Sequence, residues 1–353
     1  MIDYLIVGQG LAGTLMAYFL EKTGQKIKVI SQDQINAASK VAAGIINPIT
    51  GRRYVKSWKV DHLIPFAKST YQQMEKELDI RFYEERNILR TLFNSREEND
   101  WLLRTGEESY QKYMLEKASL GNYDPFSTPA FSYGEVQHSA QVTIATLVDR
   151  YRLYLKEKQL LIEEPFEYSA LDTSNSDVSY KEWSAKNIIF CEGYQAVHNP
   201  LFNYLPFIGA KGEVLIVKIP EVNFKKILKH RVFVAPLKND HYWVGSTYDW
   251  NIEQEQPSEQ GKSFLRNRLE DVLEVPFEII EHKAAIRPTV KDRRPFLGAH
   301  PEWPKVYIFN GLGTKGASLG PYFAQHMVNY LINGRDLDQE VDIQRFEDTR
   351  TKL

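Results

Sequence analysis

Two hydrophobic periods alternate along this chain, and the points where one gives way to the other mark its organisation. Tyr4-Leu5-Ile6-Val7 is an unbroken apolar run, the pattern of a strand buried on both faces. Leu15, Phe19 and Leu20 then fall on one face of a helix over 11–22, Gly24 closes it, and Ile27-Lys28-Val29-Ile30 supplies a second strand. The spacing of Leu63, Phe66, Ala67, Met74 and Leu78 predicts a helix over 60–78. Ser95-Arg96-Glu97-Glu98 has the form of a capping box ahead of a further helix carrying Trp101, Leu102 and Leu103. A helix over 141–158 follows from Ile144, Leu147, Val148, Tyr151 and Leu155, with a strand near 160–168 and a buried-type strand over 187–191.

From Gly212 the pattern changes to short apolar runs separated by turns. Val214-Leu215-Ile216-Val217, Val232-Phe233-Val234-Ala235, the polar turn Lys238-Asn239-Asp240 and Tyr242-Trp243-Val244-Gly245 read as antiparallel hairpins. Ser258 is placed to cap a helix with Phe264, Leu265, Leu269, Val272 and Leu273, and the chain returns to its first unit at about Ala284. Residues 305–310 form a last strand, followed by a helix through Phe323, Met327 and Leu331. The expected fold is α/β: a Rossmann-like, doubly wound and mainly parallel unit made of 1–50, 134–205 and 285–353. A discontinuous antiparallel α+β unit for substrate is made of 51–133 and 206–284. Ligands of such folds lie between the two units, outside the carboxyl ends of the parallel strands.

Composition narrows the function classes. A chain of 353 residues with a formal net charge of -2 gives no general attraction to polyanions, although Arg52-Arg53 and Arg293-Arg294 are local basic pairs. One cysteine, Cys191, permits no internal disulfide and no cysteine-based metal site, and the eight histidines lack ligand spacing, so no metal is expected. No apolar stretch reaches the length of a membrane span, and the chain opens directly into a strand without a leader pattern; the expected compartment is the cytoplasm, with no membrane partner.

The chemistry begins at Gly8-x-Gly10-x-x-Gly13, directly after the first strand. The first glycine allows the tight turn, the second lets the main chain approach a pyrophosphate, and the third lets helix pack on strand. The helix amino end then faces the phosphate. The position after the second strand, which ordinarily carries an acidic residue for the ribose hydroxyls, is Ser31 here, with Gln32 and Asp33 beside it. The stretch from Ser39 through Ala42, Ala43 and Gly44 is dense in small residues, and Cys191-Glu192-Gly193 ends the buried strand with a glycine. Gly311-Leu312-Gly313-Thr314-Lys315-Gly316 is a second glycine cluster with too little chain after it for another complete nucleotide unit. Its helix end and Lys315 suit the electron-rich N1–C2=O edge of a flavin.

Together with Ile286-Arg287-Pro288-x-x-x-Asp292-x-x-Pro295-x-x-Gly298, these motifs resemble the FAD-dependent D-amino-acid oxidase and glycine oxidase superfamily over nearly the whole chain. The terminal cluster and Val-Gly-Ser-Thr-Tyr at 244–248 are most similar to the oxidase half of the bifunctional bacterial enzyme that modifies the wobble uridine of tRNA; its methyltransferase half has no counterpart here. The resemblance implies a non-covalent FAD, contacted by Gly8, Gln9, Gly10, Leu11, Ala12 and Gly13, by Ser31 and Gln32, and by Ser39, Ala42, Ala43 and Gly44. Cys191, Gly193, Gly311, Gly313, Thr314, Lys315 and Gly316 complete that set. It also implies that Arg287 anchors a substrate carboxylate, with a salt bridge to Asp292 as the competing role for this arginine. Lys315 favours reduced flavin, and Tyr248 is a further catalytic candidate; Tyr242 and Arg53 are weaker ones on the substrate side.

The leading expectation is oxidation of the C–N bond of a small amino or imino acid by hydride transfer to flavin N5. Three alternatives stay open: an oxidase of a carboxymethylamino group on tRNA, a flavin-binding protein without catalysis, and NAD in place of FAD. A nucleic-acid partner is the less favoured choice, and the oligomeric state is undetermined.

Overall fold

The computed structural model describes residues 1–120, 130–174, 177–220, 222–252 and 254–347; the expected segments 51–133, 134–205, 206–284 and 285–353 each run partly outside them. Ile2–Val7 lies at the centre of the first sheet, between Ile27–Ile30 and Trp183–Phe190, and both pairings are parallel. Leu161–Ile162 extends the sheet beyond Ile27–Ile30, and Val306–Asn310 adds in parallel to the far side of Trp183–Phe190. Two antiparallel pieces finish it: Phe296–Ala299 on the last strand, and the hairpin Leu171–Asp172 and Val178–Tyr180. Helices Leu11–Lys22 and Gly316–Asn333 pack on one another, with Leu15, Met16, Phe323, Ala324 and Met327 buried beneath them. Their approach is close because Gly320 has no side chain, since a Cβ there would lie 2.7 Å from Leu15 Cδ1.

The second sheet runs in the order Glu278–Arg287, Ala210–Lys218, His241–Gly245, Phe233–Pro236, Ile227–Lys229, Ile88–Leu92, Ser132–Val136, Met114–Leu115. It is antiparallel except for the parallel pairing of Ile227–Lys229 with Ile88–Leu92. Alternation gives it two faces: Val214, Trp243, Ala235, Ile227 and Ile88 join the core shared with the first sheet, whereas Leu215, Val244, Val234, Leu228 and Leu89 pack on helix Glu259–Glu270.

Several local expectations shift. The helix predicted over 141–158 is Ile144–Glu157, because Ala140–Val142 pairs as a strand with Ile45–Ile46 and Tyr83–Glu85. The strand expected over 160–168 is only Leu161–Ile162. The capping box sits one residue earlier than the sequence suggested: Asn94 Oδ1 accepts the Glu97 N–H at 3.0 Å, and the Glu97 carboxylate accepts the Phe93 N–H at 3.1 Å. Asparagine and serine are equally able caps, so the pattern alone could not choose between them. The boundaries expected at 133/134 and 284/285 fall inside strands Ser132–Val136 and Glu278–Arg287 of the second sheet, so the chain leaves that sheet after Arg287 rather than at Ala284. Among the described residues, no helix is long and apolar enough to cross a membrane, and no cluster of His, Cys, Asp or Glu has the form of a metal site.

Candidate active site

The site grows from the first turn. Gly8 has φ +94°, and a Cβ there would lie 2.6 Å from the Cys191 carbonyl oxygen, so only glycine lets the ends of the two central strands meet. A Cβ on Gly13 would lie 1.9 Å from Gly8 O; Gly13 serves helix-on-turn packing and does not line the cavity. Gly10 stands at the helix N-cap with no side chain to close it, while the Leu11 N–H donates to Ser39 Oγ at 2.9 Å and the Gln9 N–H to Ser31 Oγ at 3.2 Å. The Gln9 side chain turns inward, donating to Thr14 Oγ1 and Val148 O at 3.0 Å each.

At the Ser31 end of the site the structure adds a residue that sequence reasoning passed over. Buried Arg152 donates to Ser31 O and to Glu163 Oε2, both at 3.0 Å, and so fixes the end of the second strand. The neighbouring carboxylate Asp33 is held by Lys40 at 2.6 Å, a bond that keeps its pKa below the usual range, and Lys40 also bridges to Asp149 at 2.9 Å. Arg152 carries no local motif; only the pairing of helix and strand brings it to Ser31.

Beyond the turn lies one cavity of about 980 Å³. Gly8, Gln9, Gly10, Leu11 and Ala12 line it, as do Ser31 and Gln32 at one end. Ser39, Ala42, Ala43 and Gly44 form a side wall, where Gly44 has φ +67° and a Cβ would lie 1.8 Å from Val142 O. Trp243 Nε1 donates to Val41 O at 2.8 Å and ties this wall to the second sheet. Cys191 and Gly193 line the cavity at the end of the central strand, and burial pushes the Cys191 thiol well above its ordinary pKa. Glu192, noted in the sequence only as a neighbour of glycine, also lines it. Tyr168 Oη donates to its carboxylate at 2.5 Å and Asn199 Nδ2 at 2.8 Å, yet burial pushes its pKa up to about 7.

Gly313, Thr314, Lys315 and Gly316 close the cavity from the other side, at the amino end of helix Gly316–Asn333. Gly311 does not reach it: with φ +73° and a Cβ that would meet Val290 Cγ2 at 2.7 Å, it makes the turn out of the last strand. Lys315 Nζ donates to Ser57 Oγ at 3.3 Å. Burial lowers its pKa, and Arg293 and Arg294 add to the effect.

Arg287 ends its strand with the guanidinium laid over Gly212, where a Cβ would lie only 2.0 Å from Nη2. It donates to Ser246 Oγ at 2.6 Å, Thr247 O at 3.3 Å and Ala210 O at 3.4 Å, and the Tyr248 ring centroid is 5.1 Å away. Among the described residues it has no carboxylate partner. Asp292, the competitor expected from sequence, pairs instead with Arg345 at 2.9 Å. Arg287, Tyr248 and Lys315 therefore line the same cavity. Tyr242 does not: it is buried on the other face of the sheet, with its hydroxyl donating to Val222 O at 2.8 Å, and Arg53 is exposed outside the cavity lining.

Known proteins share this fold. A glycine oxidase of Bacillus licheniformis is 23% identical over 358 residues, covering 94% of this chain and 93% of its own length. The tRNA 5-methylaminomethyl-2-thiouridine biosynthesis bifunctional protein of Pseudoalteromonas translucida is 24% identical over 183 residues, or 42% of this chain and 27% of that protein. The crystal structure of a glycine oxidase from Bacillus cereus superposes with a TM-score of 0.79 at 19% identity, covering 95% of this chain and 96% of that one. The family model for FAD dependent oxidoreductases named DAO matches residues 3–330, and the chain belongs to that family.

Proposed function

We propose that this enzyme oxidises the C–N bond of a small amino or imino acid to the imine, which water then hydrolyses. The observation that carries the reading is Arg287, a half-buried cation without a carboxylate partner among the described residues, opening onto the cavity that also holds the glycine turn and Lys315. The residues fit FAD: glycines at 8 and 10 leave main chain open beside a helix amino end, the wall at Ala42–Gly44 is built from small residues, and two helix starts point into one cavity. Bound there, FAD would supply the two-electron acceptor for this oxidation.

The chain's own contribution is binding and orientation. A guanidinium already fixed by Ser246 and Thr247 offers a carboxylate two parallel hydrogen bonds, which sets the direction of the α-carbon. Gly212 leaves the space in which that guanidinium lies. Lys315 and the start of helix Gly316–Asn333 put positive charge on the cavity wall, where it would favour a reduced, negatively charged cofactor. The Cys191 thiol, buried at the end of a strand and kept protonated, supports a non-covalent cofactor. Names among the relatives support the amine class, since glycine oxidases match over nearly their full length.

Anaerobic mixing of the FAD-loaded enzyme with glycine, sarcosine, D-amino acids and proline tests this: at least one should bleach the oxidised flavin band, and no bleaching across the panel overturns it. The match to the tRNA bifunctional protein favours a second reading, a carboxymethylamino group on tRNA, which uses the same Arg287 contact. Salt-sensitive binding of tRNA distinguishes it, because phosphate contacts weaken steeply with ionic strength.

A further inference from the structure

The inner face of the second sheet carries more positive charge than one carboxylate needs. Val214, Gly245, Phe233, Lys229 and Arg90 are register partners in a row across five adjacent strands. Val214 and Phe233 line the cavity, and the next two positions in the row are cations. Lys229 Nζ sits 4.5 Å from the Phe233 ring centroid and donates to Arg231 O at 3.0 Å. The Arg90 guanidinium lies 4.6 Å from the Tyr54 ring and donates to Gly51 O at 3.1 Å, beside Thr50, another residue of the cavity wall.

Neither cation has an ion-pair partner among the described residues. Glu97 attracts Arg90 from nearby, but its carboxylate accepts the Phe93 N–H. Burial lowers the pKa of both, and with Arg90 adjacent the Lys229 ammonium is pushed down to about 8. Two half-buried like charges on neighbouring strands repel, and an anion between them relieves that repulsion. Both retain unused donors, for a guanidinium has five N–H groups and an ammonium three.

We propose that Arg90 and Lys229 form an oxyanion subsite, which takes the distal phosphate or carboxylate of a substrate whose amino-acid end is held by Arg287. This rests on the reading of Arg287 above. Three interstrand steps separate strand Ala210–Lys218 from strand Ile227–Lys229, and the Arg287 guanidinium lies over Gly212, two residues along from the Val214 row, so the two anion positions are about 16 Å apart. A dicarboxylate of glycine size cannot span them; a long-tailed amino acid can. Phe233 and Gly245 lie between, with the Trp243 indole and Val214 packed over Gly245, so the tail would cross an apolar floor.

The test compares N-(phosphonoalkyl)glycines of increasing tail length with uncharged N-alkylglycines of the same lengths, following anaerobic flavin reduction in the FAD-loaded enzyme. Long phosphonates should gain at least about tenfold in kcat/KM over their uncharged counterparts, about 1.4 kcal/mol, and short ones should gain nothing. Lys229→Gln and Arg90→Gln should abolish that gain and Lys229→Arg should retain it, with flavin content and melting temperature reporting that each variant folds. An equal gain in Lys229→Gln, or no gain at any length, overturns the proposal. Calorimetric titration with inorganic phosphate is independent of turnover. If no amine reduces the flavin, the catalytic reading fails while phosphate binding lost in both glutamine variants still supports the subsite. Phosphate binding unchanged in both overturns it. Phosphate binding without any tail effect marks a site for the free ion and overturns the link to substrate.

Discussion

The two faces of the second sheet treat buried charge in opposite ways. On the outer face, Lys211 and Glu213 are each 6% exposed and pair at 3.1 Å, and Glu213 also accepts from Ser258 N, Ser258 Oγ and His282 Nε2. Burial would raise the Glu213 pKa, yet bonds from Ser258 and Lys211 hold it below the usual carboxylate range. On the inner face, Arg287, Lys229 and Arg90 have only neutral hydrogen-bond partners among the described residues. A closed network of charge fixes the loop that carries Ser258; charge left unmatched on the inner face is poised for a ligand.

Breaking the closed network should cost most. Glu213→Ala strands Lys211 in the sheet and should lower unfolding free energy by about 3–5 kcal/mol in urea titrations. Arg287→Met should do the reverse, leaving stability unchanged or raised while lowering kcat/KM for the amine that bleaches the flavin by about 10²–10³-fold. A large loss of stability in Arg287→Met would place it with the structural charges and collapse the comparison.

Glu192 lies between the two cases, a carboxyl on the cavity wall bonded only by neutral groups. Its folded pKa of about 7 exceeds the ordinary 4.5, so the folded state binds the proton more tightly. Its contribution to stability is complete below pH 4.5, declines as pH rises to about 7 and is constant above. Glu192→Gln should remove that decline, which amounts to at most about 3 kcal/mol, in denaturation curves compared at pH 5 and pH 8. The smallest effect is expected of Gly212→Ala: the added Cβ displaces the guanidinium and should raise KM about tenfold with kcat less affected.

What the sequence made legible was local or repeated. The turn from Gly8 to Gly13 and the hairpin through Asn239 and Asp240 announce themselves within a few residues, because their backbone angles demand particular residue types. Arg287 was legible through a long spaced motif, and its freedom from Asp292 was not, since that depends on where Arg345 packs. The Lys229–Arg90 pair had no signal at all. It exists because two strands about 140 positions apart pair in parallel, and neither flanking sequence records the other. Glu192 and Arg152 were hidden for a similar reason: polar residues look exposed until the elements around them assemble.

The order of strands in the first sheet also fixes when this protein becomes competent. Ile2–Val7, Trp183–Phe190 and Val306–Asn310 are neighbours, and the cavity's last wall is Gly313–Ser318. A ribosome therefore releases the glycine turn some three hundred residues before the opposite wall exists. Through most of synthesis the nascent chain carries half a binding site, with its central strand edge unpaired and open to wrong partners. Capture of the cofactor should therefore wait for translation of the final strand, and a chain truncated before residue 306 should retain no flavin on gel filtration.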